Sequence, residues 1–118
     1  MKLLLVALFA LVAPAAHAIT CSSAGRVDDG SKVYVTAPAL VIGDGNIWAQ
    51  FVAPTFRSGD FGDSLCKLCG YGQKSTALSF VKVGPGNVYA VLDSEGRLDR
   101  IGQVDVVSLA VDSLTCEY

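Results

Sequence analysis

The chain has 118 residues, 52% of them hydrophobic, with 9 basic against 11 acidic side chains and a formal net charge of −2. Its basic residues are scattered without a run, which excludes nucleic acid and anionic membrane surfaces as partners. The sole histidine, His17, falls in the leading segment; without it, histidine triads, histidine-ligated zinc and histidine general bases are all excluded.

Residues 1–18, MKLLLVALFALVAPAAHA, join one lysine to an apolar run from Leu3 to Val12 and close on the small residues Ala16 and Ala18. That is the pattern of a secretory signal peptide. The run is also well short of the roughly 20 apolar residues that a spanning helix needs. The expected product is residues 19–118, one small domain exported to the periplasm or extracellular space, without a membrane anchor and with no oligomeric state set by composition.

Three glycine turns then separate β-branched and aromatic runs, in DDGSKVYV, IGDGNIWAQF and VGPGNVYAVL. Glycine supplies the positive φ that tight hairpins require, so each reads as a hairpin. In the second, Asp44-Gly45 is expected as a two-residue turn between Leu40–Gly43 and Asn46–Val52. Tyr34, Trp48 and Tyr89 hold equivalent strand places after these turns; facing outward they would form an aromatic platform for a glycan or a peptide, and facing inward they would be core.

Residues 53–63, APTFRSGDFGD, connect a strand to a helix and set Phe56, Arg57, Asp60 and Phe61 among glycines. Loops held by a rigid scaffold carry function disproportionately, so any binding surface is expected here, although a solvated connection with Phe56 and Phe61 tucked into the core is the reading preferred to it. A short amphipathic helix is expected over about 60–69, with Asp60 as N-cap and Asp63 in the first turn. Phe61, Leu65 and Leu68 share one stripe, and Gly70 with Tyr71 beyond it fits a left-handed C-terminal ending.

Farther on, DSEG at Asp93–Gly96 reads as a three-residue loop. The acids of Asp93–Asp99 lack the order of a calcium loop. Val104 to Val111 is expected to be a central strand, buried on much of both faces.

Four cysteines, Cys21, Cys66, Cys69 and Cys116, carry the remaining chemistry. A redox pair wants its nucleophile at a helix N-terminus, whereas Cys66 and Cys69 fall in the last turns, where carbonyl ends disfavour a thiolate. A four-cysteine zinc site wants a second C-x-x-C, which the chain lacks. Two disulfides in a small exported domain are therefore expected, with no metal and no cofactor. The preferred pairing is Cys66 with Cys116 and Cys21 with Cys69, and the spacing leaves its swap open.

GDSLCKLCGYGQKSTALSF resembles the helix of scavenger receptor cysteine-rich domains, CSSAGRV at 21–27 resembles that family's early cysteine segment, and Trp48 after Gly45-Asn46 falls where the family places a tryptophan. The resemblance implies a curved antiparallel sheet cradling one helix in an exported binding module. Cys69 stands one place before the family's glycine, and the cysteine-rich second half is missing, so the family's cation-binding carboxylates are not carried onto Asp28-Asp29-Gly30.

The expected fold class is α+β, a mostly antiparallel sheet packed on one short helix and stapled by disulfides. The expected function is non-catalytic: recognition of a protein or glycan through the 53–63 loop and strand aromatics. The alternative is a small protease or enzyme inhibitor presenting Arg57-Ser58.

Overall fold

The computed structural model describes residues 19–118; the expected signal peptide lies outside the described residues. Nine strands make one sheet with one helix: β1 Cys21–Ser22, β2 Gly25–Asp28, β3 Lys32–Thr36, β4 Ala39–Ile42, β5 Ile47–Ala53, α1 Phe61–Cys69, β6 Lys74–Val83, β7 Tyr89–Leu92, β8 Leu98–Gly102 and β9 Ser108–Glu117. Pairing is antiparallel throughout except between β5 and β7, which run parallel. The architecture is a mostly antiparallel sheet with one minor helix and two disulfides.

Strand β9 is the axis of the sheet. One of its edges is bonded to β6 along its whole length, while the other is shared: β5 takes Leu109 and Ala110, and β3 takes Ser113 to Glu117. The handover leaves the carbonyls of Val111 and Asp112 without a strand partner on that edge. Each is answered by a specific donor, the Gln50 side-chain amide at 2.9 Å for Val111 and the Ala37 backbone N–H at 2.7 Å for Asp112. Ala37 takes a left-handed φ of 47° to make its bond, a conformation that costs an L-residue roughly 1–2 kcal/mol. Replacing Gln50 by Leu orphans the Val111 carbonyl while keeping the bulk, and should lower unfolding free energy by about 1–3 kcal/mol in urea titration.

Alternate residues of β5 and β7 divide between two apolar clusters, as the period of a strand dictates. Ala49, Phe51, Ala90 and Leu92 join Val33, Val35, Phe61, Leu65, Val111 and Leu114 beneath the helix. Val52 and Tyr89 join Val104 and Ala110 in a smaller cluster. Val104 is thus core without being strand. The expected strand at 104–111 is corrected to 108–117: Val106 and Val107 are 69% and 64% exposed, and the strand begins only where β6, and then β5 and β3, supply hydrogen bonds.

The glycine turns divide as well. β2 and β3 form a hairpin, with the Asp29 carboxylate accepting from the Ser31 and Lys32 amides at 2.9 and 2.7 Å. β4 and β5 form another, but Ile42 pairs with Ile47, so its turn spans Gly43 to Asn46 instead of the two residues Asp44-Gly45. The third expected hairpin is absent, because β6 pairs with β9 while β7 pairs with β5 and β8. The glycines there mark a crossover instead of a reversal, since β6 and β7 both run in the direction of β5, and burial of Tyr89, Ala90 and Leu92 against β5 chooses the partner. The Asp93–Arg97 connection closes on Gly96, whose φ is 84°, with the Asp93 N–H on the Arg97 carbonyl at 2.8 Å.

Helix α1 ends as its sequence dictates: Gly70 is left-handed, its N–H reaches Lys67 O at 3.2 Å, and the Tyr71 N–H reaches Cys66 O at 2.9 Å, a Schellman ending with buried Tyr71 as its apolar contact. Its start differs. Asp60 occupies the N-cap position but makes no side-chain capping bond. Asp63 instead accepts the Ser75 N–H at 2.7 Å, clamping the first turn to β6. Gly62 permits the close approach, since a Cβ there would lie 2.7 Å from Ser75. Disulfides Cys21–Cys69 and Cys66–Cys116 fix the other end of the helix, tying it to β1 and β9.

Candidate functional site

The connection from β5 to α1 is held at both of its ends and proud in the middle. Arg57 sits over the Phe80 ring, its guanidinium carbon 4.2 Å from the centroid, and donates to the Pro54 carbonyl at 2.8 Å. Ser58 donates its N–H to Ser94 O at 2.8 Å, and its hydroxyl is buried without a hydrogen-bond partner. Phe61 is 2% exposed and packs on Phe80 at 6.3 Å between ring centroids. Just before these anchors, inside the turn that the Arg57–Pro54 bond closes, Phe56 is 78% exposed. An aromatic ring left in water on a pinned loop is the geometry of an interface anchor.

Two clefts flank the loop, and Phe56 lines the first of them. One, of about 500 Å³, runs between residues 55–59, the first turn of α1 and Ser75 to Leu78 of β6. The other, of about 380 Å³, lies between Ala53–Thr55 and the segment from Val106 to Leu109. Thr55 borders both. The exposed apolar side chains of Phe56, Val106 and Val107 thus stand around a single loop, with Asp60 exposed at its far end and Lys82 at the second cleft.

The expected site residues separate accordingly. Phe56, Arg57 and Asp60 belong to this surface, with Arg57 folded back over Phe80 where an inhibitor would need it projecting. Phe61 lines the larger cleft but is buried in the core, as the inward reading of the loop has it, whereas Phe56 departs from that reading and is exposed. The aromatic platform does not assemble. Tyr89 is 4% exposed, its hydroxyl spent on the Gly84 carbonyl at 3.1 Å. Tyr34 and Trp48 are exposed, but Tyr34 sits between Val27 and Thr115 while Trp48 sits beside Val41 on the β4–β5 hairpin. Sequence reading missed Val106 and Val107 because a valine run scores as buried strand, and missed Ser75–Leu78 because nothing local says that β6 borders the loop.

Acidic groups elsewhere are engaged in turns. The Tyr118 hydroxyl and then the Gly30 amide hold the Asp28 carboxyl below the usual range, and the Arg97 amide does the same for Asp93. Among the described residues no three His, Cys, Asp or Glu side chains gather as metal ligands, and no cysteine is free. No helix of the described residues is long and apolar enough to cross a membrane. Comparisons with protein-family models, curated proteins and solved structures find no match.

Proposed function

We propose that this chain is an exported, non-catalytic recognition module that binds a protein through the 53–63 loop. The observation that carries it is the Phe56 ring, 78% exposed on a loop pinned at Arg57, Ser58 and Phe61 and flanked by two clefts. Preorganisation of that kind reduces the entropy lost when a partner docks. The two disulfides suit an extracellular or periplasmic setting, and the resemblance to scavenger receptor cysteine-rich domains points the same way.

The test is capture of partners from the secretome or periplasm of the source, compared between the native domain and Phe56→Ala. Truncation of an anchor of this type should weaken capture by roughly 2 kcal/mol, about 30-fold, with the melting temperature unchanged. Retained capture by Phe56→Ala would refute the assignment of the loop. An inhibitor would show instead as protease inhibition lost with Arg57→Ala.

A further inference from the structure

The same loop faces a feature that the recognition reading does not use, the outer edge of β6. This strand spans Lys74–Val83 and is bonded to β9 on one side and to no strand on the other. Its opposite edge therefore presents backbone N–H and C=O groups to solvent, the template on which an extended chain adds as a further strand. Among the other strands at the margin of the sheet, β2 has four residues and β8 has five, while β6 has ten. Only β6 borders the 500 Å³ cleft, through Ser75 to Leu78.

The molecule already shows which chemistry satisfies this edge. The Ser75 N–H is taken by a carboxylate, that of Asp63 at 2.7 Å. Beyond it, Thr76 to Val83 make no backbone–backbone bond other than those to β9, and the Ala77 carbonyl accepts from the Ser75 hydroxyl at 3.3 Å. β6 reads KSTALSFVKV, with a lysine near each end and no acid; Lys74 and Lys82 are exposed and make no ion pair among the described residues. Antiparallel pairing of two β6 edges over their full length would set Lys74 opposite Val83 and Ser75 opposite Lys82, so that a lysine of each copy gathers at both ends, one step apart. Like charges in that relation oppose pairing, whereas carboxylates in the same places favour it. The edge thus rejects a second copy of this chain and selects an acidic one.

We propose that β6 captures an extended segment of a partner protein as an added strand, with acidic residues of that segment meeting Lys74 and Lys82 and its side chains entering the cleft beside Phe56. This rests on the recognition reading and names the form of its ligand. The probes are two short peptides of alternating threonine and valine, one with glutamate at both ends and one with lysine. They are titrated calorimetrically into the disulfide-bonded domain, with hydrogen exchange followed at β6.

The glutamate peptide should bind roughly tenfold more tightly than the lysine peptide and slow exchange at amides within Thr76–Val83. The double variant Lys74→Glu/Lys82→Glu, at two exposed positions, should invert the preference. Equal binding of both peptides, protection at β2 or β8 instead, or an unchanged preference in the variant would overturn the proposal. So would concentration-dependent protection of β6 without peptide, which would identify a second copy as the occupant. If Phe56→Ala abolishes capture of a partner whose binding leaves β6 exchange untouched, the recognition surface stands and strand addition fails.

Discussion

Removing the Cys66–Cys116 bridge by paired alanine substitution should cost about 3–5 kcal/mol and leave the domain largely unfolded at 37 °C, while removing Cys21–Cys69 should cost about 2–3 kcal/mol. Loop entropy cannot separate the two, because their sequence separations are 50 and 48 residues; that difference is worth well under 0.1 kcal/mol. Burial separates them. Cys66 and Cys116 are 0% exposed within the cluster beneath the helix, where truncation also opens a cavity, whereas Cys21 and Cys69 are only partly buried at its margin. Urea titration of both double variants under non-reducing conditions decides the matter. Equal costs would show that the bridges act through the unfolded chain alone. Partial reduction offers a second reading of the same difference, since the thiol reagent should open Cys21–Cys69 first.

The bridges also show how far the sequence alone could reach. Helix α1 is legible in its own residues: the stripe Phe61, Leu65, Leu68 and the Gly70 ending are local features, and a local feature needs no knowledge of the rest of the chain. The β2–β3 and β4–β5 hairpins are local in the same sense. What was not legible is long-range. β7 runs parallel to β5 across 35 residues of intervening chain, between Ala53 and Tyr89, and a glycine turn ahead of it looks the same whether or not the flanking strands pair. Asp63 illustrates the point at the scale of one side chain: its place in the first turn suggested an interaction with the helix N-terminus, and it binds the Ser75 amide of β6 instead. The 53–63 segment was legible as a loop, and the stripe that joins Phe61 to Leu65 and Leu68 pointed that ring inward, but nothing in the spacing said that Phe56 would stand in water.

Those two phenylalanines should respond in opposite ways to the same substitution. Phe61→Ala should cost about 3–5 kcal/mol of unfolding free energy, because the ring is 2% exposed, packs on Phe80, and forms the floor against which the first turn of α1 sits. The Phe61 backbone carbonyl is also the surface that Gly96 approaches, where a Cβ would lie 2.5 Å away, so a shift of the helix start is transmitted to the β7–β8 loop and, through the Ser94 carbonyl, to Ser58. Phe56→Ala removes a side chain that is 78% exposed and should change stability by no more than about 0.5 kcal/mol. Arg57→Ala belongs between them, at about 1 kcal/mol, since it loses both the stacking on Phe80 and the bond to Pro54 O. Thermal and denaturant unfolding of the three variants orders them. If Phe56→Ala proves as destabilising as Phe61→Ala, the exposed ring is part of the core in solution and the recognition surface must be sought elsewhere; if the order holds, any loss of partner binding in Phe56→Ala belongs to the interface and not to the fold.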